Sequence, residues 1–228
     1  MNIQSDLAKT TKSMLFQSPF YGHFLMGVNK SEVKGLKTVG VRKEGINIGL
    51  VVDPEWWMTL EEKYKVGVFI HEVKHIAFMH LTMRDSYLDK ELFNIAADLC
   101  INQDDLSPAN LPPDSLFVDN FNKKFNLQLK EHEGTRYYYD ELQKDEKKKG
   151  SKFGRARKNG AFGTRHITWK DFEKMSEAEK KLIQKQIEYQ IKELVNSNQK
   201  LRGLVPGSLK AFVDSLFEVK EPVMDWKA

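Results

Sequence analysis

Apolar positions in this chain recur with two different spacings. Ile46, Ile48, Leu50 and Val52 alternate with Asn47, Gly49 and Val51, the period of a strand with one face better buried than the other. The run LKTVGVR just before it, joined through Lys43, Glu44 and Gly45, predicts the other half of a hairpin, and Asp53-Pro54 closes the pair. Elsewhere the spacing is helical. Residues 5–28 put Phe16, Phe20, Phe24 and Leu25 on one face, although Pro19 and Gly22 blur its limits. Thr59 and Glu62 have the form of a capping box, which predicts a helix from near Leu60 to about Arg84. Ser86 and Asp89 can cap a second helix ending near Gln103; residues 105–128 then read as loop and GTRYYYDELQ as a short helix. Ser176 and Glu179 cap a long helix with Ile183, Ile187, Ile191 and Leu194 in one stripe and Gly203 as its stop, and Pro206 opens a last helix to about Phe217. A hairpin followed mostly by helices predicts an α+β fold with a small antiparallel sheet.

Composition narrows the class. With 228 residues, 40% of them apolar and 30% charged, the chain can bury the core of one large domain and is neither disordered nor collagenous. No apolar run approaches the roughly 18 residues needed to span a bilayer. Asp6 and the nearby lysines stand where a signal peptide would need an unbroken apolar stretch, and a single cysteine, Cys100, excludes an intramolecular disulfide framework. A soluble cytoplasmic protein held by packing is the expectation. Its net charge of +4 is unevenly placed: residues 144–165 carry nine Lys/Arg against two acidic residues, a local +7 that leaves −3 for everything else. With four glycines and no Ile, Leu or Val, the stretch reads as a flexible basic insertion over 144–166 in a single domain. A solvated loop is the favoured reading, and a phosphate-seeking nucleic-acid arm the alternative.

Chemistry concentrates in VFIHEVKHIAFMH, where His71, Glu72 and His75 form HExxH. Residues four apart on a helix differ by about 40° around the axis, so both histidines can hold one metal ion. Glu72 lies about 100° from His71, off the metal yet near enough to take a proton from water. Imidazole donors make zinc the expected ion. The motif sits in a largely apolar helix, and two histidines and a glutamate buried without partners would be costly. The plainer alternative is a pair of hydrogen-bonded core histidines.

A catalytic zinc needs a third protein ligand. In ELFNIAADLCIN, Asn94, Asp98 and Asn102 form a polar stripe on an apolar helix, and an ionised Asp98 among Ile95, Ala96, Leu99 and Ile101 calls for a cation. Asp98 is therefore the leading candidate, its alternative role being to orient one of the histidines. Glu91, near the same face, is a lesser candidate, and Asn94 and Asn102 are expected as hydrogen-bonding support. His80 lies about 180° from His71 on a continuous helix and cannot reach the same ion unless the chain turns first. No glycine stands between His75 and His80 to make that turn, so His80 is expected in a supporting role. Cys100 reads as a small core residue and Trp56 and Trp57 as cover for the HExxH helix. His23, His132 and His166 carry no recognisable spacing and receive no role.

HEVKHIAFMH followed by FNIAADLCIN resembles the metallopeptidase domain that precedes a VWA-like domain in bacterial and phage proteins, with Phe93 where tryptophan is usual. GINIGLVVDPEWW, YYYDELQ and KLRGLVPGSLKAFVDSLFEVKEPVMDW extend the resemblance over most of the chain outside the basic stretch. It implies a zincin-like fold, a metal site of His71, His75 and Asp98, and Glu72 as catalytic acid and base. It also implies a following VWA-like domain, whose Asp-x-Ser-x-Ser motif does not occur here. The leading expectation is zinc-dependent hydrolysis of a protein or peptide substrate, for which the strand INIGLVV offers an edge to pair along. Tyr137, Tyr138 or Tyr139 could aid the oxyanion but read better as core. A structural zinc module serving an ATPase and VWA-type assembly, or a nucleic-acid-associated protease, are the competing expectations.

Overall fold

The computed structural model describes residues 2–162, 166–197 and 199–217; the stretch Gly163–Arg165 of the basic insertion and the C-terminal EVKEPVMDW segment lie outside them. Two helices open the chain, α1 (Ile3–Gln17) and α2 (Pro19–Met26). The single apolar face expected there breaks at Pro19: Phe20, Phe24 and Leu25 are buried, whereas Phe16 is exposed.

Three strands follow, β1 (Asn29–Glu32), β2 (Val39–Glu44) and β3 (Asn47–Val52), in the order β1-β3-β2. The hairpin of β2 and β3 forms as expected, with Val41 opposite Leu50 and Gly45 in the left-handed region at the turn, φ 64°. The sheet is mixed rather than antiparallel, because β1 pairs parallel to β3. Its sequence, NKSE, has no apolar alternation to announce a strand. β3 is consequently central and has no free edge for a substrate; the edge strand beside the HExxH helix is β2.

Asp53 caps α3 (Pro54–Thr59), accepting from the backbone N–H groups of Glu55 at 2.9 Å and Trp56 at 3.3 Å. Thr59 therefore ends one helix instead of starting the next, and its hydroxyl donates to the Trp56 carbonyl at 2.7 Å. The HExxH helix α4 (Glu62–Ala77) stops about two turns short of Arg84, because Met79 adopts φ 58° and redirects the chain into α5 (His80–Met83). Trp57 stacks on Phe69 of α4 with ring centroids 4.7 Å apart, as the sequence suggested. Asp89 caps α6 (Lys90–Ile101) through the Leu92 N–H at 2.9 Å. α4 and α6 lie in the middle of the core, so that their polar side chains face one another and not solvent.

Helix α7 (Val118–Phe125) breaks the region read as loop, and α8 (Thr135–Glu146) follows. The basic stretch contains a helix, α9 (Lys152–Lys158), and is anchored by Phe153 and Phe162, which bury their rings against Phe121 and Phe125. A 3₁₀ segment (Ile167–Lys174) then leads to α10 (Glu177–Ser197), α11 (Gln199–Arg202) and α12 (Gly207–Phe217). At the start of α10, Ser176 and Glu179 form the expected capping box, with bonds of 3.3 and 2.9 Å. Among the described residues, no helix is long and apolar enough to cross a membrane.

Candidate metal centre

Four side chains converge where α4, α6 and the 3₁₀ segment meet. His71 and His75 project from one face of α4, Asp98 faces them from α6, and His166 enters just ahead of the 3₁₀ segment; their donor atoms all lie within 4.8 Å of one another. Asp98 Oδ1 stands 2.8 Å from His166 Nε2, 3.3 Å from His75 Nε2 and 3.7 Å from His71 Nε2, and the two α4 nitrogens are 3.1 Å apart. Tetrahedral zinc with bonds of about 2.0–2.1 Å requires donors roughly 3.3 Å apart. The separations of 2.8 to 3.7 Å bracket that value, and the nitrogen and oxygen donors are of the kind such a site uses, so the cluster could hold a metal ion.

Each α4 histidine is oriented from behind. Nε2 of His71 faces the cluster, so its Nδ1–H donates to Asn102 Oδ1 at 2.8 Å, while the Asn102 amide donates to the Leu116 carbonyl at 2.9 Å. Nε2 of His75 also faces inward, leaving Nδ1–H to donate to His80 Nδ1 at 2.9 Å; His80 Nε2–H in turn donates to the Thr135 hydroxyl at 2.8 Å. Fixing the second ring nitrogen in this way sets both tautomer and ring angle. Asn102 and His80 thus stand behind His71 and His75, on the side away from the cluster. The turn His80 needs is made at Met79 without a glycine, and it aims the ring at the back of His75 rather than into the cluster.

Glu72 sits beside the cluster, almost fully buried, and takes a hydrogen bond from the backbone N–H of Val41 on β2; its Oε2 has no partner among the described residues. Burial, reinforced by the Asp98 charge, pushes its carboxyl well above the usual range. Burial alone would raise Asp98 too, but the adjacent His166, which also donates to it, and the neighbouring α4 histidines outweigh it and hold Asp98 well below its ordinary value. Burial and the neighbouring His166 lower both His75 and His80, the latter to about 3.

Two other candidates lie elsewhere. Glu91 pairs with Arg157 of α9 at 3.3 Å, and Asn94 accepts from Arg84 at 3.0 Å. The tyrosines belong to the packing of α8: Tyr138 is fully buried and donates to the Lys130 carbonyl at 2.8 Å. Cys100 is buried as expected. His166 is the residue that sequence reasoning missed, lying 68 positions after Asp98 with no periodic relation to either motif. Its companion in the following segment is Trp169, whose ring stacks on it at 4.1 Å and meets His75 edge-on at 4.7 Å.

No curated protein and no solved structure matches the chain. The family model described as "Putative metallopeptidase domain" matches residues 2–228, and with a buried His/Asp cluster of metal-site geometry beside HExxH, the chain belongs to that family.

Proposed function

We propose that this domain is a zinc-dependent peptide hydrolase in which His71, His75 and Asp98 hold the ion and Glu72 is the acid and base. The observation that carries this reading is the Glu72 carboxylate: buried, adjacent to the donor cluster, held through Val41 and with Oε2 free of any partner among the described residues. A buried carboxylate placed only for stability would be costly, whereas one waiting for a proton donor is suited to general acid and base work. A zinc ion held there supplies Lewis acidity, which brings the pKa of a coordinated water to about 7. Glu72 would take that water's proton and return it to the leaving amine, the raised affinity of its carboxyl for protons serving the second step. Asn102 and His80 keep the two α4 imidazoles aligned throughout.

The fourth donor supports a second reading, a closed structural centre in a protein-binding module. Glu72→Gln distinguishes the two. In a hydrolase it retains stoichiometric zinc and loses peptide cleavage by at least a hundredfold; in a structural centre neither wild type nor variant cleaves any member of a diverse peptide library.

A further inference from the structure

Three of the four donors stand on helices that form the middle of the core, His71 and His75 on α4 and Asp98 on α6. His166 alone comes from irregular chain. Its backbone adopts φ 54°, a left-handed conformation that a non-glycine residue holds only at a cost of about 1 kcal/mol or more. Solvent access divides the donors as well: the side chains of His71 and His166 are 15% and 8% exposed, those of His75 and Asp98 0% and 2%. The outer side of the cluster is therefore the side that His166 covers.

We propose that His166 is a releasable fourth ligand, whose side chain seals the position through which water and a peptide carbonyl reach the metal. The arrangement described is then the closed state of the centre. Release needs only the start of the segment to move. Trp169 and Phe172 are fully buried, and Thr168 packs against β2 where a Cβ on Gly40 would come within 2.8 Å of its hydroxyl, so the rest of the 3₁₀ segment stays docked. Trp169 would still hold the edge of His75 after His166 has left. The three remaining donors form the open site that hydrolysis requires, whereas four fixed donors would not. This inference rests on the hydrolase reading for its purpose, and its test reads the metal centre directly.

The test uses cobalt(II) as the probe ion and acetohydroxamate as an added small ligand. His166→Cys should give a near-ultraviolet thiolate-to-cobalt charge-transfer band that wild type, despite Cys100, lacks. His166→Ala should still bind one cobalt, and acetohydroxamate should perturb its visible spectrum at a concentration at least about tenfold lower than in wild type, the factor expected when a competing side chain holds the position over 90% of the time. Absence of the charge-transfer band, loss of cobalt from a folded His166→Ala protein, or equal hydroxamate response in both proteins overturns the proposal. Should alanine prevent folding, the cysteine variant decides ligation, and a wild-type spectrum that ignores saturating hydroxamate overturns release. Failure of the hydrolase reading would appear in the Glu72→Gln peptide assay and leave these spectra unaffected.

Discussion

The Nδ1 atoms of His75 and His80 lie 2.9 Å apart, joining a residue of the donor cluster to a histidine that the turn at Met79 has carried out of α4. Only one of those nitrogens can carry the proton, and the inward-facing Nε2 of His75 assigns it to His75. His80 is thus an acceptor, itself held by Thr135. Replacing it with leucine removes that acceptor and leaves a buried N–H with no partner. His80→Leu should weaken zinc binding about 10–100-fold, the usual effect of losing such support, while Thr135→Val acts one bond further out and should cost less. Competition with a chromophoric chelator measures both; equal affinity in wild type and His80→Leu would show that the bond does not orient His75.

The same histidine predicts a pH dependence. Its pKa is lowered from 6.5 to about 3 in the folded protein, chiefly by burial and then by His166. Between those values the unfolded chain binds a proton that the native chain does not, so stability falls as pH falls from 6.5 toward 3, by up to about 1.4 kcal/mol per pH unit for this one group. Above pH 6.5 the contribution is complete. Glu72, with its raised pKa, acts with the opposite sign, so the total slope does not isolate His80. The difference between wild type and His80→Gln does. In chelator-treated samples the stability advantage of wild type over the variant should shrink steadily from pH 7 to 5 in urea denaturation; parallel curves would contradict the assignment of a neutral buried His80.

How much of this was legible beforehand depended on whether a signal was local. HExxH, the Asp98 stripe and the Ser176 box are local patterns: the first two bring His71, His75 and Asp98 together, and the third caps α10. The hairpin of β2 and β3 was readable for the same reason. β1 was not, because a four-residue strand of Asn, Lys, Ser and Glu is recruited by the exposed edge of β3 and not by its own apolar pattern. Thr59 misled because Asp53 is the stronger cap and starts a short helix earlier. His166 could not be placed from sequence at all: its role comes from Trp169 and Phe172 docking a distant segment beside α4, a tertiary event without a periodic trace.

Gly67 offers a test in which local and tertiary terms oppose each other. It lies in the middle of α4, where alanine would ordinarily gain about 1 kcal/mol. A Cβ at this position would fall on the carbonyl oxygen of Asn110. That backbone cannot easily retreat, since the Asn110 side chain accepts from the Ser107 N–H at 2.8 Å and donates to the Asp105 carbonyl at 2.9 Å. Gly67→Ala should therefore destabilise the protein by about 1–3 kcal/mol despite its helix propensity. A variant more stable than wild type in chemical denaturation would mean that the 105–110 loop yields at little cost.

The buried pair of Asp6 and Lys65 should matter more to stability than any exposed ion pair. Lys65 Nζ and Trp57 Nε1 both donate to Asp6 Oδ2, at 2.6 and 2.7 Å, tying α1 to α3 and α4. Burial works against the Asp6 charge, yet the bonds from Lys65 and Trp57 prevail and hold its carboxyl below the ordinary value. Without Asp6, the Lys65 ammonium is left with Glu62, which is 57% exposed, and the face of the Trp57 ring, and the indole N–H of Trp57 loses its acceptor. Asp6→Ala should cost about 3–5 kcal/mol, as expected when one member of a buried pair is removed. Lys9→Ala, which breaks the Lys9–Glu62 bridge between two side chains each 57% exposed, should change stability by less than about 1 kcal/mol. Zinc content should stay the same in both, because neither residue touches the donor cluster or its supports. Urea denaturation with metal analysis checks the pair of variants, and an Asp6→Ala loss as small as that of Lys9→Ala would show that α1 is not held to α4 by this contact.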